Sequence, residues 1–322
     1  MRFLNTLLQR YKNFLRLVKI YFQLFLKVLR FIKIPFFQGQ SLYDVLRFFY
    51  IGIIEGNVTS RAASVSFSFF LALFPGIIFL FTLIPYIPID GFQQVLFELL
   101  HEIMPPNTFE AAESTIDDII NNKRGDLLSF GFIAALIFAT NGTNALISNF
   151  NATVHQFKTR SFWRQELVAI LLTLLLSVLF IIGIALIIFT EGFTDWLIEI
   201  KVIPSELKSF LRIGRYASLV AVIFFSISLL YYFGPADRRL FKFLSPGSIL
   251  ATVLILIGSE IFSYYINNFN QYNRLYGSIG TLLIILLWIY VNSLILIIGF
   301  EFNAGIAAAK RNEIKHILGD KV

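Results

Sequence analysis

Long apolar blocks dominate the chain, and within each block the apolar residues are continuous and do not alternate with polar ones. Six blocks lie at about residues 62–87, 127–150, 166–190, 213–234, 247–269 and 277–307. A helix needs roughly 20 mostly apolar residues to cross the hydrocarbon core of a membrane. Because lipid offers backbone groups no hydrogen-bond partner, a spanning segment is either a helix or part of a closed barrel. Barrel strands alternate, so this pattern predicts an all-α, polytopic membrane protein with six transmembrane helices.

The first forty residues follow a different pattern, in which polar and mostly basic side chains recur in steps of three and four. They are Lys12, Arg16, Lys19, Gln23, Lys27, Arg30 and Lys33. This spacing places them on one stripe of a helix, with Leu and Phe on the remaining surface. We predict an amphipathic helix in the membrane interface that contacts anionic lipid head groups. The alternative is a helix packed on the cytoplasmic face of the protein itself.

Two shorter segments complete the element pattern. Residues 42–57 are apolar but carry Asp44, Arg47 and Glu55, which predicts a short helix that enters the membrane obliquely. The connection at about 88–126 is too long for a simple turn and has apolar residues at helical spacing, which predicts a short helical extracytoplasmic cap. The predicted organisation is an interfacial helix at 1–40, a membrane domain at 41–310 and a cytoplasmic tail at 311–322.

Composition and charge agree with the membrane class and add an orientation. The chain is 57% hydrophobic and 15% charged, whereas a globular domain is about 45–50% apolar and about 25% charged. Basic connections alternate with acidic or mixed ones, and the cap segment is the most acidic, so the positive-inside rule predicts that both termini are cytoplasmic. The net charge of +7 is typical of a membrane surface, and no motif indicates a nucleic-acid partner. The absence of cysteine excludes disulfides and thiolate metal sites.

Polar side chains inside a span are costly and mark either pathways or helix–helix contacts. In the second span Asn141, Asn144, Ser148, Asn151 and His155 share one stripe. The stripe is either the wall of a hydrated cavity or a line of interhelical hydrogen bonds. Both interpretations stay open for the two deeper asparagines, whereas hydrogen bonding is favoured for the last two residues of the stripe.

The fifth and sixth spans carry further polar positions. Glu260 lies about 14 residues after Pro246, which places it roughly 20 Å along the helix and well inside the membrane. It acts either as a proton or cation relay or as a structural anchor, and we favour a functional cavity. The predicted polar pathway, open to the cytoplasm, comprises Asn141, Asn144, Ser148, Glu260, Asn292 and Asn303.

Two charged residues lie near the cytoplasmic ends of their spans. Arg61 begins the first span and Glu301 lies near the end of the sixth. Their positions predict an ion pair that locks the two ends of the bundle together.

Signatures of an enzyme are missing from the sequence. The three histidines are far apart, and no HExxH, P-loop or GxSxG motif occurs. Carboxylates with metal-ligand spacing are also absent. We therefore expect no catalytic residue, no cofactor and no metal.

A series of short motifs, in order, resembles the YihY/BrkB family of bacterial inner-membrane proteins over about residues 42–310. The motifs are Arg61-Ala62-Ala63, Leu73-Phe74-Pro75, Arg160-Ser161-Phe162-Trp163, Leu244-Ser245-Pro246-Gly247, Tyr272-Asn273, Tyr276-Gly277-Ser278-Ile279-Gly280, Leu287-Trp288-Ile289-Tyr290 and Gly299-Phe300-Glu301-Phe302-Asn303-Ala304. The resemblance implies six spans with both ends in the cytoplasm. It implies no established activity, since one branch was labelled ribonuclease BN and another is associated with serum resistance.

The sequence is compatible with three functions. The favoured hypothesis is a transporter or translocase that moves a lipid or another envelope amphiphile through a polar intramembrane cavity. The alternative is a non-transporting membrane scaffold or envelope assembly factor that holds a partner through its outer cap. For partners we expect a homo-oligomer or an envelope component. A membrane nuclease is disfavoured, because phosphodiester hydrolysis generally needs clustered metal ligands.

Overall fold

The computed structural model describes residues 37–86, 121–155, 160–200, 208–237, 241–268 and 278–319, with a few isolated positions before and between these ranges. Within them lie seven α-helices, and no strand occurs in the described part of the chain. The helices are α1 (Leu42–Glu55), α2 (Val58–Leu83), α3 (Gly125–Asn151), α4 (Phe162–Glu199), α5 (Lys208–Phe233), α6 (Pro246–Asn268) and α7 (Ser278–Gly319). The predicted all-α class is confirmed. The predicted interfacial helix at 1–40 and the cap at about 88–126 lie almost entirely outside the described residues.

Within the described residues, six helices are long and apolar enough to cross a membrane, as the sequence predicts. They are Val58–Tyr86, Gly125–Asn151, Phe162–Leu186, Phe210–Phe233, Pro246–Ile266 and Leu282–Ile314. The protein is therefore a multi-pass membrane protein. The predicted helix at 42–57 is present as α1, whose first turn is capped by the Ser41 hydroxyl accepting a hydrogen bond from the Asp44 amide at 3.1 Å.

The spans form a closed ring in the order of the sequence. Each of the helices α2 to α6 packs against the next one, α7 packs back against α2, and α1 lies against α7. We call the end of the ring that contains the start of α2 and the end of α7 the basic end. The opposite end, where α2 finishes and α3 begins, is the acidic end.

The ring is filled at its basic end by four aromatic side chains, which we call the aromatic plug. Phe150, Tyr231, Phe241 and Phe300 come from α3, α5, the connection after α5, and α7, and all four are buried. Phe300 stacks on Phe150 with ring centroids 4.3 Å apart and on Phe241 at 5.5 Å. Tyr231 meets Phe150 edge-on at 5.6 Å. The centre of the ring is therefore solid at this end.

The packing loosens toward the acidic end. One face of α6 carries Ser248 and Thr252, both buried, and then Ser263 and Ile266, both exposed. The same change occurs on α4, where Leu172 is buried and Phe180 is 69% exposed. Faces that point into the ring at the basic end are thus uncovered at the acidic end. We call this less tightly packed half of the described bundle the hollow half.

Candidate functional site

A buried ion pair joins the start of α2 to α7. Arg61 Nη1 lies 2.6 Å from Glu301 Oε1, and the two residues are 7% and 0% exposed. Thr153 donates its hydroxyl to Glu301 Oε2 at 2.9 Å, and Arg61 also donates to the Gly56 carbonyl at 3.2 Å. The carboxylate is therefore bonded through both oxygens, which is the condition under which a buried charge is tolerated.

The corner between α1 and α2 makes room for this pair. Asn57 has a left-handed backbone with φ of 46°, which turns the chain sharply between the helices. Gly52 lies directly against Glu301, since a β-carbon there would be 2.5 Å from Oε2. A glycine at this position allows α1 to approach the carboxylate closely.

His155 also borders Gly52, since a β-carbon there would lie 3.4 Å from its Nε2 atom. It is 6% exposed, and its Nε2 atom has no partner within the described residues. Burial lowers the pKa of His155, and the charge of Arg311 acts in the same direction, while a hydrogen bond with the Phe48 backbone opposes them. Arg311 also donates to the His155 carbonyl at 2.6 Å. His155 is thus a neutral side chain at neutral pH, packed beside the ion pair.

The polar stripe of α3 meets two side chains at the start of α4. Asn144 donates to Glu166 Oε2 at 2.7 Å and accepts from Gln165 Nε2 at 2.6 Å. Gln165 also donates to the Ser148 hydroxyl at 2.8 Å, and Asn151 donates to Gln165 at 3.4 Å. We call this group the polar seam. It is an interhelical hydrogen-bond network, only partly buried, between α3 and α4.

The other predicted pathway residues lie apart from one another. Asn303 is buried and caps α6, accepting from the Gly247 amide and donating to the Ser245 hydroxyl, both at 2.8 Å. Asn292 donates to the Trp288 carbonyl of its own helix at 2.8 Å. Asn141 is exposed on α3, and Glu260 is exposed on α6. The structure therefore does not gather the six residues around one cavity.

Glu260 lies on the outward face of α6. The exposed residues Ile249, Val253, Ile257 and Tyr264 continue its stripe in steps of three and four. At the level of Ile249 and Val253 the ring interior is filled, so their exposed face points away from the bundle. We expected Glu260 to line an interior cavity. Its stripe instead points away from the bundle, where a carboxylate at this depth faces lipid.

A cavity of about 440 Å³ opens between α6 and α7 in the hollow half. Its lining is mostly apolar, with two serine hydroxyls at one side: Ser259, Phe262, Ser263, Ile266, Ile284, Ile285 and Trp288. The volume lies in the range of about 300–1,000 Å³ that is usual for ligand pockets. In the described residues no group of three or more His, Cys, Asp or Glu side chains is arranged to hold a metal ion.

A family model described as "Virulence factor BrkB" matches residues 50–319. The chain belongs to the BrkB family. The resemblance seen in the motifs is thereby confirmed, and the match covers all six spans. The match also includes both partners of the buried ion pair and all members of the polar seam.

Curated relatives of this BrkB-family chain carry membrane names and one enzyme-like name. The chain is 31% identical over 245 residues to a "Putative ribonuclease-like protein YfkH" of Bacillus subtilis, covering 76% of this chain and 88% of the relative. It is 23% identical to a "UPF0761 membrane protein" of Aggregatibacter aphrophilus, with 81% and 91% covered. A protein of the same name from Haemophilus influenzae is 25% identical, with 77% and 89% covered. No solved structure matches.

Sequence reasoning missed several residues that complete these groups. Gln165 and Glu166 supply the α4 side of the polar seam, and Thr153 supplies the second bond to Glu301. The first two follow Arg164 at the boundary of the third span, where polar residues are common. Gln165 and Glu166 differ from other polar boundary residues only because they lie opposite Asn144 and Ser148. Their position depends on how α3 and α4 pack, which the sequence does not show.

Proposed function

We propose that this BrkB-family protein is a transporter that moves a lipid or another envelope amphiphile through the hollow half of its ring. The observation that carries the proposal is the asymmetry of the ring, which is filled by the aromatic plug at one end and hollow at the other. A passage that is closed at one end and open at the other is the arrangement that alternating access requires.

The lining of the 440 Å³ cavity supports an amphiphilic substrate. Five of its side chains are apolar or aromatic, and Ser259 and Ser263 provide hydroxyls on one side. A small ion or sugar needs several convergent polar groups, whereas an acyl chain needs an apolar wall.

The proposal changes the route expected from the sequence. The sequence suggested a polar cavity open to the cytoplasm, whereas the aromatic plug fills the ring axis at the basic end. We propose instead that the cavity opens toward the acidic end. In this arrangement the plug and the adjacent Arg61–Glu301 pair form the closed gate.

We further propose a non-enzymatic role in the bacterial inner membrane, with the basic end in the cytoplasm. The basic connections at that end support this orientation under the positive-inside rule. The ribonuclease-like name belongs to the Bacillus subtilis relative, and we do not transfer that activity to this chain.

The test is lipid movement across vesicles that contain the purified full-length protein. Vesicles carry a trace of head-group-labelled phospholipid, and an impermeant quencher added outside reports the rate at which label reaches the outer leaflet. We expect faster movement than in protein-free vesicles. Ser263→Leu fills the cavity and should slow movement severalfold, whereas Val253→Phe adds bulk on the outward face of the same helix and should not.

Equal rates with and without protein, for each phospholipid and envelope amphiphile tested, would remove the transport proposal. Equal slowing by Ser263→Leu and Val253→Phe would remove the assignment of the cavity as the route.

A further inference from the structure

A groove of about 950 Å³ lies on the outward surface of the basic end, between the first turn of α4 and the turn after α5. Its walls include Arg160, Ser161, Trp163, Arg164, Leu167 and Ala236. Trp163 is 79% exposed and Leu167 is 60% exposed. The groove is separate from the cavity between α6 and α7, from the aromatic plug and from the polar seam.

Arg160 fixes the shape of this groove. Its guanidinium donates to the carbonyls of Phe233, Gly234 and Pro235 at 2.9, 2.5 and 2.6 Å. These bonds hold the end of α5 against the start of α4, and they complement the negative end of the α5 dipole. Gly234 allows the turn to lie close against the end of α5, since a β-carbon there would collide with the Leu230 carbonyl. The two walls of the groove are therefore built in place.

The groove is polar at the end of the span and apolar deeper in the membrane, which matches the head group and the acyl chains of a phospholipid. Arg164 and Ser161 lie at the end of the span, where the chain leaves the membrane. Trp163 lies at the same level, and tryptophan is enriched at the membrane–water boundary. One turn deeper, Leu167 begins an exposed apolar stripe that continues into the membrane through Leu171, Leu174, Val178 and Ile181.

Two arginines and no acidic residue line the groove, Arg160 and Arg164. The sequence at residues 156–166 and 234–245 is also basic, with Lys158, Arg160, Arg164, Arg238, Arg239 and Lys242 against Glu166 and Asp237. Basic residues at a membrane boundary attract anionic head groups, and each contributes about 1 kcal/mol near a charged surface, a factor of about five in affinity. The exposed guanidinium of Arg164 also offers the planar fork that binds phosphate oxygens.

We propose that this groove binds one anionic phospholipid of the surrounding leaflet, with the phosphate on Arg164 and Ser161 and an acyl chain along Leu167. Trp163 packs against the glycerol region of the lipid. Arg160 is a positioning residue, because its donors are directed to the end of α5. This inference stands on its own contacts and does not rest on the transport proposal.

The experiment measures contact between Trp163 and brominated lipids, whose acyl bromines quench a neighbouring indole. The purified full-length protein is titrated with brominated phosphatidylglycerol or brominated phosphatidylcholine in mixed micelles. The fluorescence of Trp163 is the difference between the unmodified chain and Trp163→Phe. We expect half-quenching at an about fivefold lower mole fraction of phosphatidylglycerol than of phosphatidylcholine.

Two arginine variants show whether the preference belongs to the groove. Arg164→Gln should abolish the preference for phosphatidylglycerol. Arg47→Gln removes an exposed charge elsewhere at the basic end and should change that preference by less than a factor of two. Inorganic phosphate, compared with chloride at matched ionic strength, should not displace the lipid.

Three results would overturn the proposal. The first is equal quenching of Trp163 by the two lipids. The second is equal loss of preference in both arginine variants, which would mean general surface charge. The third is displacement by inorganic phosphate, which would mean a site for a soluble anion. None of these results bears on the vesicle assay of transport, so the two proposals fail separately.

Discussion

Arg61 and Glu301 place two full charges inside a bundle that is otherwise apolar. Desolvation of each charge costs several kcal/mol, which mutual attraction and further hydrogen bonds must offset. The structure provides those bonds through Thr153 and the Gly56 carbonyl. The pair also joins α1, α2, α7 and the end of α3, which lie far apart in the sequence. The main contribution of the ion pair is therefore to fix the relative positions of these elements.

Removal of one partner should be more damaging than removal of one hydrogen bond. We expect Arg61→Met to lower the free energy of unfolding by about 3–5 kcal/mol, because Glu301 is left buried and unpaired. Thr153→Val is the matched control and should cost less, about 1.5–3 kcal/mol, since it removes one hydrogen bond to the carboxylate while the ion pair persists. Denaturant titration of the purified protein in mild detergent measures both. Similar losses for the two variants would contradict the assigned role of the pair.

His155 predicts a specific dependence of stability on pH. Burial holds its folded-state pKa below its ordinary value of 6.5, so the unfolded chain binds the proton first as the pH falls. The neutral imidazole's contribution to stability is complete above about pH 6.5 and is lost as the pH falls through that value toward the folded-state pKa. We expect the thermal midpoint to fall between about pH 7.5 and pH 5.5, and to fall less in His155→Gln. Identical profiles for the two proteins would exclude this histidine as the cause.

At the scale of elements, glycines decide how closely α5, α6 and α7 approach. A β-carbon at Gly299 would lie 2.5 Å from Tyr231 Oη and 2.7 Å from the Ala251 β-carbon, whereas nothing lies within 4 Å of Gly214. We expect Gly299→Ala to destabilise the protein by about 1–3 kcal/mol through overpacking. Gly214→Ala should instead stabilise it by about 0.5–1 kcal/mol, because alanine is the better helix former. Thermal unfolding of both variants tests this, and a loss of stability in Gly214→Ala would contradict it.

Periodicity and block length were sufficient to predict the six spans and the helix before them. Each span is decided by local composition, which is why α1 and all six spans lie within a few residues of the predicted ranges at most boundaries. The main exceptions are α4 and α7, which continue to Glu199 and Gly319, beyond their apolar blocks. A helix that has formed can extend through polar sequence, because each added residue gains a hydrogen bond.

The roles of individual polar residues were less accessible from the sequence. Asn303 and Glu260 both looked like cavity residues because each is polar within a span. Their roles depend on which face meets a neighbour: Asn303 points at the start of α6, and Glu260 points outward. The direction in which each side chain points depends on the order of the helices around the ring. A hydropathy pattern gives no information on that order. The ion pair was accessible because both charges lie at the same end of their spans.

At the scale of the whole molecule, the ring joins sequence neighbours and closes between its first and last spans. Such a ring has two distinct ends, and this one differs in both packing and charge at those ends. The aromatic plug and the ion pair lie at the basic end, whereas the hollow lies at the acidic end. The direction of any transport therefore depends on which end faces the cytoplasm.

Orientation can be measured directly because the chain contains no cysteine. Lys123 is exposed at the acidic end and Lys242 at the basic end, so Lys123→Cys and Lys242→Cys each introduce one thiol with the same loss of charge. The positive-inside rule places the basic end in the cytoplasm. We expect a membrane-impermeant maleimide to label Lys123→Cys in intact spheroplasts, and Lys242→Cys only after permeabilisation, while the cysteine-free parent stays unlabelled. The reverse pattern would turn the hollow toward the cytoplasm and make the aromatic plug the outer gate.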